Sequence, residues 1–403
     1  MSNVHDLLEA HGKASIEVYL DWENGSIVAP EVFEAMKEIF LQRAYGNPAI
    51  THRIGWETYE LFVKSKETIA ESLNIKGEQL ALTHTNAEAN NLAIKGLAKK
   101  HKKRKKIIVS AVEHLSVIHS AKALQEANIS VELIPVAQDG TIDTDVLQDK
   151  VDSNTLLVSI QVANHEIGTI QPLQEAIDIV KDKDENIFFH TDATAAYGRI
   201  PLDFGKLNID LATISSRHIL GPKGIASLYL KEGVKVSPLY DGQVNIETLV
   251  PDVENMPLLV GFAKAVEEQF KNFEEIKAHT MKLRDRLLYE LQTHIPRTEI
   301  NGAVGKRRLP DNANLSFMGC EGEALTVESS MNGIYVSSGS ACTSRILMPS
   351  HILTAIGRKP EEAHGSVLMK VNRLNTEEQI NYVIETMPKV VQRIRSITGG
   401  IEL

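Results

Sequence analysis

Seven short apolar runs alternate with longer amphipathic segments through the first two thirds of the chain, and this constrains the fold more than any other feature. The runs are "QLALTH", "KIIVSA", "SVELIPV", "TLLVSIQ", "NIFFHTD", "DLATISS" and "IASLYL". Between them lie segments with helical spacing, such as "ETYELFVKSKETIAESLN", "AEANNLAIKGLAKKH" and "LQEAIDIVKDKD". Strands alternating with helices predict a doubly wound, mostly parallel α/β sheet covered by helices on both faces. Ligands of such sheets bind beyond the carboxyl ends of the strands. Five polar clusters fall there: "THTNAEANN", "VEHLS", "NHEIG", "HTDAT" and "SSRH".

After about residue 255 the pattern changes. One long amphipathic helix, "ENMPLLVGFAKAVEEQFKNFEEIKAHTMKLRDRLLYELQTHI", leads into a strand-and-helix region. The expected organisation is a large domain over residues 16–260 and a smaller C-terminal α/β domain over 261–403, with residues 1–15 packing on the latter. A net charge of −10 argues against nucleic-acid or acidic-membrane binding. The basic run "KKHKKRKK" at 99–106 reads as a solvated helix end, with a docking patch for an acidic partner as the alternative. Two cysteines make no disulfide framework and point to a reducing, cytoplasmic setting. No secretory signal or apolar membrane-spanning run is visible. The cysteines and scattered histidines lack zinc spacing, so no metal is expected.

The ordered segments "AYGNPAITHRIGWE", "AEANNLAIKG", "VEHLSV", "ANHEIGTIQPL", "FFHTDATAAYGRIPLDF", "GPKGIASLYL", "SSGSACTS" and "HILTAIG" span nearly the whole chain. Through them it resembles the cysteine desulfurases, pyridoxal-phosphate (PLP) enzymes of the class V aminotransferase fold. The resemblance implies that Asp192 pairs with the pyridine nitrogen, His114 stacks on the ring, and Asn164 and Ser215 contribute to cofactor binding. It makes Cys342, in "SSGSACTS", the sulfur-accepting cysteine. Cys320, ending an apolar strand, reads instead as a packed core thiol.

Other family positions are substituted. The Schiff-base lysine becomes His218 and the histidine before it Arg217, within "SSRHILGPKGIA". The phosphate threonine is Ala87, the ring glutamine Ala195, the partner-subunit threonine Val253 and the substrate arginine Leu368. Imidazole forms no stable imine, so His218 cannot tether the cofactor, although it can move a proton. Arg217 offers an always-charged fork suited to phosphate. Lys223, in the Gly-Pro-Lys-Gly turn, is the nearest lysine in sequence.

These substitutions lead to an expected degenerate desulfurase homologue without normal PLP-dependent turnover. It would act as scaffold, regulator or Cys342 persulfide relay in sulfur or iron–sulfur metabolism. The resemblance implies a homodimer, or a heterodimer with an active paralogue, and an iron–sulfur scaffold or sulfur-acceptor protein as partner. One alternative is an active PLP-dependent desulfurase or lyase holding its cofactor non-covalently. Another is a remodelled pocket for a different anionic ligand.

Overall fold

The computed structural model describes residues 16–42, 46–243, 246–251, 254–339 and 349–397. Its strands, in chain order, are β1 (Val18–Tyr19), β2 (Leu80–Thr83), β3 (Lys106–Ser110), β4 (Ser130–Ile134), β5 (Thr155–Ser159), β6 (Phe188–Asp192) and β7 (Leu211–Ser215). They continue with β8 (Ala226–Leu230), β9 (Thr298–Ile300), β10 (Asn312–Phe317), β11 (Ile334–Tyr335), β12 (Ser337–Ser338) and β13 (Ser366–Lys370).

The seven apolar runs form one sheet in the order β2-β8-β7-β6-β5-β3-β4. The β7-β6-β5-β3-β4 pairings are parallel, whereas β8 runs antiparallel to both neighbours. Strands β3, β5 and β7 are buried at all five positions, as a sheet covered on both faces requires. The helix Leu173–Lys183 shows how the cover forms. It buries Leu173, Ala176, Ile177 and Val180, spaced to share one face, and carries Glu175 in its first turn and Lys181 and Lys183 in its last.

A four-stranded antiparallel sheet, β12-β13-β10-β9, builds a second core in the C-terminal region. The single long helix expected after residue 255 is two helices, Met256–Lys271 and Phe273–His294, broken at Asn272 (φ −124°, ψ 35°). Each has its own core to cover. Leu259, Phe262 and Val266 of the first pack with the large sheet, and Leu283, Leu287 and Leu291 of the second with the small one. Strand β1 pairs in parallel with β11, and Val18 and Leu20 lie in the second core. The N-terminal strand assigned to the large domain by its sequence position therefore packs with the smaller unit.

Most of the basic run is exposed, although His101 and Arg104 are half-buried, Arg104 pairing with Asp184, and its end is buried. There Lys106 turns inward to pair with Glu132 and Asp152, both at 3.1 Å. Cys320 is buried, and burial pushes its thiol pKa up. No described helix is long and apolar enough to cross a membrane, and no group of three or more metal-ligating side chains occurs among the described residues.

Candidate functional site

The polar clusters converge at the carboxyl edge of the large sheet. Asp192 ends β6 and Ser215 ends β7, His114 follows β3, and Arg217 and His218 follow β7 in a single 3₁₀ turn. A cleft opens between them, lined by Asp192, Thr194, Ala195, His114, Gln161, His165, Arg217 and His218, with Asn86, Ala163 and Glu23 completing the wall. A neighbouring cavity shares Glu23, His114 and His165 with it. Gly339, Ser350 and Leu368 line that second compartment. It therefore adjoins both ends of the segment 340–348, which carries Cys342 and lies outside the described residues. Val253 lies outside them too.

A hydrogen-bonded chain supports the floor of the first cavity. Thr85 caps the helix Asn86–Asn91, accepting from the Glu88 amide at 3.0 Å. That helix presents Asn90, whose Nδ2 donates to Asp192 Oδ2 and to Ser116 Oγ, each at 2.8 Å. Ser116 in turn meets His114 Nδ1 at 2.7 Å. His114 caps its own helix, Leu115–Lys122, by accepting the Ser116 amide at Nδ1. An Nδ1 that accepts leaves the proton on Nε2, so cap and tautomer are set together. The other Asp192 oxygen accepts the Thr194 amide at 2.9 Å. Burial opposes ionisation of Asp192, but His114 and the Thr194 and Asn90 hydrogen bonds hold its pKa below the usual carboxylate value.

His114 and His165 meet edge-to-face at 5.2 Å. Burial, then the proximity of His114, depresses the His165 pKa to about 3, so that ring is neutral near pH 7. Asn164, expected among the cofactor contacts, is fully buried and already committed. It donates to Val112 O at 2.9 Å and accepts the amides of Glu166 and Ile167, at 2.9 and 2.8 Å. It builds the turn below the cavity, with one of its two Nδ2 hydrogens used in that turn. Ser215 is buried at the end of β7 and is not among the cavity-lining residues.

Ala195 lines the first cavity and Leu368 the second. Lys223 is exposed in its turn, whereas His218 is buried. Leu220 closes the turn with φ +60°, a conformation costing a non-glycine residue about 1–2 kcal/mol, and its carbonyl is held by the Ala29 amide at 2.9 Å. Arg217 is held from the same N-terminal segment, its Nη1 donating to Glu23 O at 2.5 Å and its Nη2 lying 3.8 Å from the Glu23 carboxylate.

Sequence reading missed the group at the centre of this wall. Glu23 Oε1 contacts His218 Nε2 at 3.3 Å, and Glu23 Oε2 contacts the Lys370 ammonium at 2.6 Å. Lys370 is completely buried at the end of β13. Burial opposes the Glu23 charge, but Lys370 first and His218 second hold its carboxyl well below the usual range. A lysine inside the apolar run "SVLMKV" was the available signal, since buried lysines require a partner. Its partner lies 347 positions away in sequence and only folding joins them.

The fold and the site define a protein of the PLP-dependent transferase class. The class V aminotransferase family model matches residues 18–383, and the chain belongs to that family, within its cysteine desulfurase branch. It is 39% identical over 381 residues to cysteine desulfurase IscS 1 of Archaeoglobus fulgidus, covering 94% of this chain and 98% of the relative. It is 37% identical over 384 residues to cysteine desulfurase IscS of Clostridium botulinum, covering 95% and 96%. A solved NifS-like protein structure superposes with a TM-score of 0.87 at 30% identity, covering 94% of this chain and all of the other.

Proposed function

We propose that this chain is a PLP-dependent cysteine desulfurase or lyase that holds its cofactor without a lysine tether at position 218. The observation that carries this reading is the intact Asp192–Asn90–Ser116–His114 chain beneath an open cavity. The extent of identity to proteins named cysteine desulfurases favours an enzyme over the scaffold without turnover expected from the substitutions.

The residues present fit the ring end of the cofactor. Anionic Asp192 is suited to hold a proton on the pyridine nitrogen, and His114 is placed to cover a ring face. Thr194, buried beside Asp192, lies in the same wall. Arg217 brings a cation to the cavity and, by its charge, is the group to receive the phosphate. When bound, PLP supplies an electron sink for bonds to the α-carbon of an amino acid. Buried side chains keep bulk water from the floor, and Cys342 is assigned the role of sulfur acceptor.

For assembly we propose a dimer, homomeric or with an active paralogue, passing sulfur to an acceptor or iron–sulfur scaffold protein in the cytoplasm. Its support is apolar surface on the helices Pro30–Gln42 and Arg53–Glu71, where Phe40, Leu41 and Trp56 are all more than half exposed.

Titration of the purified protein with PLP tests the function. Saturable binding is expected, with no covalent adduct after borohydride. Asp192→Asn should weaken it about 10–100-fold, the value of one charge-assisted hydrogen bond. An absence of saturable binding would end the enzyme reading. Given binding, cysteine-dependent sulfide release should disappear in Cys342→Ser; undiminished release would remove Cys342 from the mechanism.

A further inference from the structure

The enzyme reading leaves open which group moves protons where the family keeps its lysine. We propose that His218 is the general base of this site, with Glu23 and Lys370 as its positioning residues. Glu23 fixes the proton on Nε2, so that Nδ1 carries the lone pair that accepts a proton from the ligand.

Hydrogen-bonding roles carry the first step. A carboxylate can only accept, so the 3.3 Å contact between Glu23 Oε1 and His218 Nε2 requires the hydrogen on Nε2. His218 Nδ1 is then a bare lone pair. It is buried and has no hydrogen-bond partner, in a ring that lines the cavity beside Asp192 and Arg217. A buried acceptor left unpaired is costly and calls for a reason. A ligand donor, or a proton in transit, supplies one.

Charge carries the second step. Lys370 Nζ lies 2.6 Å from Glu23 Oε2 and 3.9 Å from Asp311, whose carboxylate also pairs with Arg199. With Lys370 neutralising it, Glu23 stays ionised without taking a charged imidazole as partner. His218 is thus neutral and able to accept. The groups bearing on its titration are Arg217 on its own turn, Glu23 in the N-terminal segment, Arg199 paired with Asp311, and Lys370 on β13. Asp192 and His165 stand across the cavity. Burial, then Arg217, depresses the His218 pKa to about 4. An anion on Arg217 offsets the nearer positive charge and strengthens the base when the ligand arrives.

In the proton-transfer step a ligand C–H or S–H bond breaks and leaves its electron pair on the ligand. The proton forms an N–H bond at Nδ1, and the imidazolium charge faces Glu23. Return of the proton to product restores the neutral ring.

The test is histidine-selective ¹⁵N NMR of the cofactor-free chain, with His218 assigned by His218→Asn. The expected wild-type state at neutral pH is a neutral ring with its proton on Nε2. In Lys370→Met, Glu23 loses its counterion and His218 should become imidazolium at neutral pH. In Glu23→Gln/Lys370→Met, which carries no unpaired charge, the ring should be neutral without a single enforced tautomer. That double variant keeps the test alive if Lys370→Met alone fails to fold. Inorganic phosphate, used as the anion probe, should raise the His218 pKa in wild type. With PLP and cysteine, His218→Asn should lower kcat about 10²–10⁴-fold, the range for a general base.

A wild-type ring protonated on Nδ1, or already charged at neutral pH, would overturn the proposal. So would unchanged kcat in His218→Asn, or borohydride fixing PLP on Lys370, since a neutral amine there cannot hold Glu23 charged. Failure to bind PLP would instead strike the enzyme reading, and the tautomer of the free protein would then decide for or against this inference.

Discussion

Lys370→Met should lower the free energy of unfolding by about 3–5 kcal/mol, the usual cost of removing one partner from a buried ion pair. The ammonium is completely buried, and its 2.6 Å contact with Glu23 is the main compensation for that carboxylate's desolvation. Without it, Glu23 keeps its charge only by drawing a proton onto buried His218, which costs the desolvation of an imidazolium. Adding Glu23→Gln removes the stranded charge and should restore most of the loss, because a buried pair replaced by neutral groups of similar volume is often close to neutral in stability. Urea unfolding of the wild type, the single variant and the double variant measures both effects. Equal stability of the single and double variants would show that the pair is not coupled.

Glu166→Gln should remove much of the stability lost between acid and mildly alkaline pH. Glu166 is buried, accepts from Ser350 Oγ at 2.7 Å at one oxygen and has no partner at the other. Burial raises its pKa to about 8 from an ordinary 4.5. The folded state therefore keeps a proton that the unfolded state releases as pH rises through 4.5. The associated stability is fully present below 4.5, declines at up to about 1.4 kcal/mol per pH unit, and is lost by about pH 8. The whole span amounts to about 3–5 kcal/mol. An amide at this position can still accept from Ser350 but cannot ionise. Glu113, also raised well above its usual value by burial, leaves a slope in both proteins, so the difference between them isolates Glu166. Parallel curves for wild type and variant would refute the assignment.

On the acid side the sign reverses. Burial depresses the pKa values of His190 and His218 to about 4 and that of His165 to about 3. The unfolded state binds protons below about 6.5 that the folded state refuses, so stability falls as pH drops through that window. Glu166 and these histidines together should confine maximal stability to a narrow range around pH 6, and the same urea series can locate it.

The large sheet was legible because all its strands carry their own signal. Each is a short apolar run bounded by polar residues, and the local period suffices to identify it. The C-terminal helices were legible in type but not in number. Both halves of 255–295 have helical spacing, and the break at Asn272 arises because each half covers a different core. Asp192 and His114 were found through motif resemblance, and the structure adds the Asn90–Ser116 bridge that makes them one unit. Asn164 was singled out by the same resemblance, and motif position does not reveal the three hydrogen bonds by which it also builds the turn.

The amino-acid sequence alone determined the doubly wound architecture, the carboxyl-edge placement of its polar clusters and the histidine, His218, that stands before the Gly-Pro-Lys-Gly turn. All three are encoded in local patterns of hydrophobicity or in residue identity. Tertiary structure decided what surrounds that histidine. Glu23, His218 and Lys370 are brought together from an N-terminal loop, the turn after β7 and a strand of the smaller sheet. Charges in water at such sequence separations would be indifferent to one another. Burial within one wall makes their pairing, tautomer and protonation states depend on each other.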